Sequence, residues 1–399
     1  MNVRRVLIPA DIRFPLERAN GVQIVKTAAA LARSGVPTTL LVRQSDPRST
    51  EEILALFGLG TMPQLTVKRL RVLHRTGVSA NARACFLSRA AGRAAFELWR
   101  GSVVFTRDLQ LADWLLTEPR FAPNRICYEA HAVEALMYAE RGSLYGTNEA
   151  PRSRKVRRLA GREQRVWRRA ASLVTTTRGI HDTFAANYGE RAHTAVIPNG
   201  CDVPSDRAFP GLAAERPARV VYAGQLYPWK GVDVLVEAMA RIEQARLVIL
   251  GGLAGEGDMA RIRALITARG LAERTELPGT VPQAQVAEEL RRAAVVVVPF
   301  LRSVMTERHT SPLKAFEAMA AGRPIVCTDL PSSREFLRHD ENALLVPPGD
   351  APALATAIQR VLTDRGLAQR IARAAYDEAP RFSWDSRATQ LRELLEAVS

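Results

Sequence analysis

Along this chain, short apolar runs rich in β-branched residues alternate with longer stretches whose apolar positions recur at helical spacing. Residues 3–9 predict a first strand and 21–34 the helix after it. Further strands are expected at 37–42, 65–72, 103–107, 126–130 and 173–176. A second series starts with a strand at 219–223 and a helix at 232–242, and continues with strands at 246–250, 275–277, 294–299, 324–328 and 343–346. Strand then helix, repeated, implies a mostly parallel sheet covered on both faces. Between the two series lies the turn-rich stretch Ile197-Pro-Asn-Gly-Cys-Asp202, followed by Pro204 and Pro210, which suits a linker. The expectation is an α/β chain of two similar-sized Rossmann-like domains, 1–200 and 201–380. Ligands of such sheets bind beyond the carboxyl ends of the strands, so two facing domains would enclose a deep cleft. Residues 381–399, with Trp384, Leu391, Leu394 and Leu395 at helical spacing, predict a terminal helix that packs back on the first domain.

Length agrees with this division, since 399 residues exceed one ordinary core. The cysteines Cys85, Cys127, Cys201 and Cys327 are widely separated, with no metal-ligand or disulfide spacing, as expected in a reducing cytosol. Met1 leads through Arg4 and Arg5 straight into a strand, too brief a lead for a signal peptide, and no apolar run is long enough to span a bilayer. The expected location is therefore cytoplasmic, or peripheral at the inner face of a membrane.

Charge narrows the partners. The formal net charge is +15, concentrated in 152–169 and more thinly at Arg83, Arg89, Arg93 and Arg100. In the first segment Val156, Leu159, Val166 and Ala170 share one helical face, and Arg154, Arg158, Arg165 and Arg169 another. Glu163 falls on the apolar side, where an internal partner is expected. The arginine face is open to three readings: a solvated surface, a contact with anionic lipid head groups, or a contact with an anionic acceptor. Nucleic acid is disfavoured because no aromatic platform or nucleic-acid motif accompanies the charge.

Candidate chemistry lies at two strand-to-helix turns. In Glu307-Arg-His-Thr-Ser-Pro-Leu-Lys-Ala-Phe-Glu-Ala-Met-Ala-Ala-Gly322, Ser311 is a good N-cap and Pro312 a good first helical residue. The free N–H groups of Leu313 and Lys314 then face outward, the arrangement that binds phosphate. Lys314 adds a compact cation, and Glu317, one turn on, can accept hydrogen bonds from the two hydroxyls of a ribose. Upstream, Gly224 to Gly231 is a loop in which Lys230 can reach a pyrophosphate while Gly231 lets backbone approach closely. Of 56 basic Lys and Arg residues only Lys26, Lys68, Lys155, Lys230 and Lys314 are lysine, and two of these five fall in the two loops. Phosphate plus ribose points to a nucleotide.

Taken in order, Asn20-Gly21, Tyr128-Glu-Ala-His131, Ile197-Pro-Asn-Gly200, Ala223-Gly-Gln-Leu-Tyr-Pro-Trp-Lys-Gly231, Gly279-Thr-Val281 and Pro312 to Gly322 resemble the motifs of glycosyltransferase family 4 across nearly the whole chain. That family has two facing Rossmann-like domains (the GT-B fold) and usually retains anomeric configuration. The resemblance implies an acceptor-binding first domain and a nucleotide-sugar-binding second domain. It implies that Glu317 holds the donor ribose, Lys230 neutralises the diphosphate, Gly21 belongs to a glycine loop near the donor phosphate, His131 lies near the transferred sugar, and Gly279 to Val281 meet the base. Gly224, Gln225, Gly231, His309, Thr310, Ser311, Pro312, Leu313 and Lys314 complete the implied donor site. Two positions depart from the family pattern: His309 stands where a glutamate commonly touches the sugar hydroxyls, and Gln225 where an arginine is common.

The resemblance implies a retaining transfer of a sugar from a nucleoside-diphosphate sugar to a sugar or lipid-linked acceptor, in cell-envelope polysaccharide or glycolipid synthesis. No Asp-x-Asp pair is present, so neither metal nor cofactor is expected, the nucleotide sugar being a substrate. A non-catalytic nucleotide-sugar-binding or assembly protein remains the alternative.

Overall fold

In a computed structural model, residues 5–14, 19–72, 79–118, 123–145, 150–205, 208–253 and 257–398 are described. The chain divides into two compact units: Met1–Tyr138 with Arg152–Asn199 and Trp384–Ser399, and Ala139–Pro151 with Gly200–Ser383. The second unit thus includes 139–151, which the sequence reading placed in the first domain, and also 381–383.

The first unit holds a seven-stranded sheet: β1 (Val6–Phe14), β2 (Thr38–Gln44), β3 (Leu65–Leu70), β4 (Val103–Thr106), β5 (Ile126–Ala130), β6 (Ser172–Thr175) and β7 (Thr194–Val196). They run in the order β3-β2-β1-β4-β5-β6-β7, every pair parallel. β7 has no counterpart in the sequence expectation, because three residues, none of them buried, carry no buried-strand signal. β4, β5 and β6 are buried throughout, as a sheet covered on both faces requires.

The second unit holds β8 (Ala218–Ala223), β9 (Ala245–Leu250), β10 (Thr275–Gly279), β11 (Val295–Val298), β12 (Ile325–Thr328) and β13 (Leu344–Val346), in the order β10-β9-β8-β11-β12-β13. All pairs are again parallel. Two apolar clusters cover its faces, one built around Val220, Leu247 and Ile358, the other around Val221, Phe316 and Leu337. In both units the strand order reverses beside the first strand, between β1 and β4 and between β8 and β11. At such a point the loops beyond the carboxyl ends diverge and leave a crevice.

Within the first unit, the helix Trp384–Glu396 packs on the helix Ala19–Arg33, burying Trp384, Arg387, Ala388, Leu391 and Leu395. The helix Ser153–Arg169 buries Leu159, Glu163, Val166 and Trp167, leaving Arg154, Arg158, Arg165 and Arg169 exposed. Arg165 is held by Asp113 at 2.7 Å. Glu163 finds its internal partners in the Ala135 N–H and the Tyr188 hydroxyl, each at 3.3 Å, and burial raises its pKa to about 7. Among the described residues, no helix is long and apolar enough to cross a membrane.

Candidate functional site

In the second unit the Lys230 loop leaves β8 and turns through Pro228–Lys230 into the helix Val232–Met239. Gly231 makes that turn possible. Its φ of +70° is left-handed, and a Cβ there would lie 1.8 Å from the carbonyl oxygen of Pro299. The loop is pinned to the segment after β11 by the Leu301 N–H donating to the Trp229 carbonyl at 3.0 Å. Lys230 therefore sits at the crevice between β8 and β11. Its ammonium stands 4.2 Å from the Trp229 ring centroid and 4.4 Å from that of Phe300. Desolvation against these rings pulls its pKa down to about 7. The predicted helix 232–242 stops at Met239.

A second glycine seam closes the neighbouring strand ends. The Gly224 N–H donates to the Leu250 carbonyl and the Gly251 N–H to the Gly279 carbonyl, both at 2.8 Å. A Cβ on Gly251 would lie 1.8 Å from the Gly224 oxygen. Gly224 and Gly279 are thus linked through Gly251 at the carboxyl ends of β8 and β10, and the half-buried Gln225 and Val281 follow just after them.

The helix Leu313–Ala320 begins one residue later than expected. Pro312, rather than Ser311, is its N-cap, and its carbonyl takes the first helical bond from the Ala315 N–H at 3.1 Å. Proline favours an extended residue before it, but Pro312 itself is also extended (φ −82°, ψ 108°), so helical dihedrals start only at Leu313. The N–H groups of the first turn still lead the helix. Lys314 and Glu317 are brought together: Nζ lies 2.6 Å from Oε2, and also 3.3 Å from Oε1 of Gln283, just beyond Val281. His309 ends a single π turn, Met305–His309, in which Thr310 donates to the Met305 carbonyl at 2.8 Å. The His309 ring is buried with neither nitrogen hydrogen-bonded, and burial lowers its pKa to about 4, so it is neutral.

In the first unit Gly21 lies in the first turn of the helix Ala19–Arg33 and is buried there, not in a loop. His131 follows β5, with Nε2 3.2 Å from Oε2 of Glu129 but out of line for a hydrogen bond. Burial and the nearby Arg107 bring its pKa down to about 4 against the pull of Glu129. Burial pushes the Glu129 carboxyl up, but Arg387, His131 and Arg107 outweigh it and hold the group ionised. Gln23 donates to Glu129 at 3.3 Å and accepts from Arg107 at 2.7 Å. Arg387, from the terminal helix, bonds Glu129, the Thr27 hydroxyl at 3.2 Å, and the carbonyls of Ile197 at 2.8 Å and Pro198 at 2.7 Å.

Sequence reasoning missed Gln23, Arg107, Glu129 and Arg387 around His131, and Trp229, Phe300 and Gln283 around the two lysines. Glu129 and Trp229 stood inside quoted motifs. The others had no local signal, because only strand order makes them neighbours.

Two family models match this chain, a glycosyl transferase 4-like domain over residues 20–200 and glycosyl transferases group 1 over 217–364. The chain belongs to the group 1, family 4 glycosyltransferases. Among curated relatives, the D-inositol 3-phosphate glycosyltransferase of Xylanimonas cellulosilytica is 33% identical over 258 residues, 59% of this chain and 59% of the relative. The phosphatidyl-myo-inositol mannosyltransferase of Mycobacterium leprae is 32% identical over 51% of this chain and 53% of its own. The chain thus spans about three fifths or less of the first curated relatives it matches. Among solved structures, sucrose-phosphate synthase from Thermosynechococcus elongatus superposes with a TM-score of 0.77 at 22% identity, covering 99% of both chains. HepE of Anabaena in complex with UDP-glucose gives 0.71 at 18% identity, covering 98% of this chain and 99% of its own. At these identities the likeness carries the GT-B fold.

Proposed function

We propose that this protein transfers a sugar from a nucleoside-diphosphate sugar to an acceptor with retention of configuration. The observation that carries the reading is the Lys314–Glu317 pair in the first turns of the helix Leu313–Ala320, beside Gln283 and the Gly279–Val281 segment and in the same unit as the Lys230 crevice. A diphosphate accepts from helix-start N–H groups and from ammonium donors, and a ribose diol donates to a carboxylate, so one donor substrate answers all three features. Family membership supports the same reading, as does the UDP-glucose named in the HepE complex.

In this mechanism the bond from the anomeric carbon to the diphosphate breaks, and the acceptor oxygen bonds to the same face. The acceptor proton passes to the departing phosphate oxygen. Lys230, Lys314 and the helix start stabilise the charge that grows on the leaving group, which is electrostatic catalysis by fixed donors and needs no metal. Neutral His309 can both donate to and accept from sugar hydroxyls. The acceptor is a sugar or a lipid-linked acceptor, and the process is cell-envelope polysaccharide or glycolipid synthesis on the cytoplasmic side, a reading to which the phosphatidyl-inositol and exopolysaccharide names among the relatives lend support.

The test is a panel of nucleotide sugars incubated with purified protein. Slow release of nucleoside diphosphate from one of them supports transfer. Saturable binding of a nucleotide sugar with no release, in the presence of a range of acceptors, would favour the non-catalytic binder.

A further inference from the structure

In a parallel sheet with helical crossovers, each helix carries the chain back to the amino ends of the strands, the pole opposite the ligand loops. At that pole of the first unit, the helix Ser79–Trp99 ends with two aromatic rings in water: Trp99 is 84% exposed and Phe96 43%. The rings lie 6.3 Å apart. Guanidinium groups flank them, Arg93 at 5.1 Å and Arg100 at 5.5 Å from the Phe96 centroid. Arg125, just before β5, lies against Gly101, its Nη1 2.7 Å from where a Cβ would stand. Arg5, leading into β1, approaches Glu97 at 4.0 Å. Glu97, the acid among them, is buried and already bonded to Arg93 and to the Ser102 hydroxyl.

We infer that this surface docks on an anionic lipid bilayer. An exposed tryptophan does nothing for the core, and an indole with one wet edge is the side chain that settles at the level of lipid head groups. The apolar area is two rings, with Arg93 and Arg100 beside Phe96 and Arg5 and Arg125 on neighbouring segments of the same pole, rather than a broad apolar patch, which fits a layer where phosphates meet acyl chains better than a protein partner's core. The excess of positive charge on the whole chain, +15, acts in the same direction. The inference does not depend on the transfer reading, because these residues stand at the opposite strand ends from Arg107 and His131.

The experiment mixes the full chain with vesicles of phosphatidylglycerol and phosphatidylcholine brominated near the glycerol backbone. Tryptophan fluorescence and co-sedimentation are read together. The wild type should pellet with anionic vesicles, less so as salt rises, and its fluorescence should be quenched. Trp99→Phe should still pellet but lose most of the quenching, although Trp114, Trp167, Trp229 and Trp384 remain. Arg93→Gln with Arg100→Gln should weaken partitioning about 25-fold at low salt, roughly fivefold for each charge. Circular dichroism checks that the variants are folded, and hydrolysis of a soluble donor should be unchanged. Three results would overturn the inference: no pelleting of the wild type, equal quenching in Trp99→Phe, which would mean contact elsewhere such as Arg154 and Arg158, or a lipid-independent dimer that Trp99→Ser dissolves.

Discussion

Lys314 Nζ lies 2.6 Å from Glu317 Oε2, so the cation assigned to phosphate and the carboxylate assigned to ribose are each other's partner across one helical turn. A donor must divide them between its own groups. Glu317→Gln and Lys314→Ala should therefore each lower kcat/KM about a hundredfold, since a charged hydrogen bond is worth roughly 2 to 3 kcal/mol. Because each single change also leaves the other group without its partner, the double variant should lose less than the sum. Steady-state release of nucleoside diphosphate measures this, and near-native turnover in a folded single variant would count against that residue.

Lys230 sets a pH dependence. Its pKa is lowered to about 7, and only the ammonium form complements a diphosphate. Nucleoside diphosphate should bind with proton uptake above about pH 7, and affinity should fall as pH rises further. Calorimetry in buffers of different ionisation enthalpy reads the uptake directly. The stability sign is opposite: between about 7 and the ordinary 10.5 the unfolded chain holds a proton that the folded chain lacks, so Lys230 makes the fold more stable as pH rises through that window. Lys230→Met should flatten both trends and cost most of the activity. Lys230→Arg should also be poor, because a planar guanidinium does not fit the space of a compact ammonium between two rings.

The crevice that holds Lys230 also constrains Gly231. A Gly231→Ala substitution drives a Cβ into the Pro299 carbonyl at 1.8 Å and forces a left-handed φ of +70° on alanine. Unfolding experiments should show a loss of about 1 to 3 kcal/mol. The KM for the donor should rise with it, since the turn that carries Lys230 must shift.

Around His131, Glu129→Gln and Arg387→Met should each destabilise strongly, by about 3 to 5 kcal/mol, because either leaves a buried charge uncompensated. The pair changed together should cost clearly less than the two separately. Denaturant titration of the four proteins tests this, and simple additivity would mean the ion pair is not coupled.

Activity should persist in EDTA, because fixed lysines and helix N–H groups are assigned the role of a metal clamp. Complete loss restored only by Mg²⁺ or Mn²⁺ would show that the diphosphate site has been misassigned.

The strands and the loops were legible where chemistry is local. Val220 to Ala223 announce a buried strand, Gly231 announces a turn, and a lysine at each of two helix starts announces an anion. Arg387 was not legible, because in a helix of alternating polar and apolar residues a buried arginine looks like any exposed one until the helix is docked. The same holds for Phe300, whose ring matters only because β11 lies beside β8. The N-cap slipped from Ser311 to Pro312 because composition does not resolve a helix start to the residue.

Arg387 also bears on how this protein can be cut. It is the counter-charge of Glu129 and the donor to the carbonyls of Ile197 and Pro198, yet in sequence it lies 258 residues from the first and 190 and 189 from the others. A gene fragment ending at Asn199 would express every strand of the first sheet and still lack Arg387, the cation bonded directly to its buried acid. Such a fragment would be poorly soluble or molten unless the Trp384–Glu396 peptide were supplied in trans, or grafted onto it through a short artificial tether.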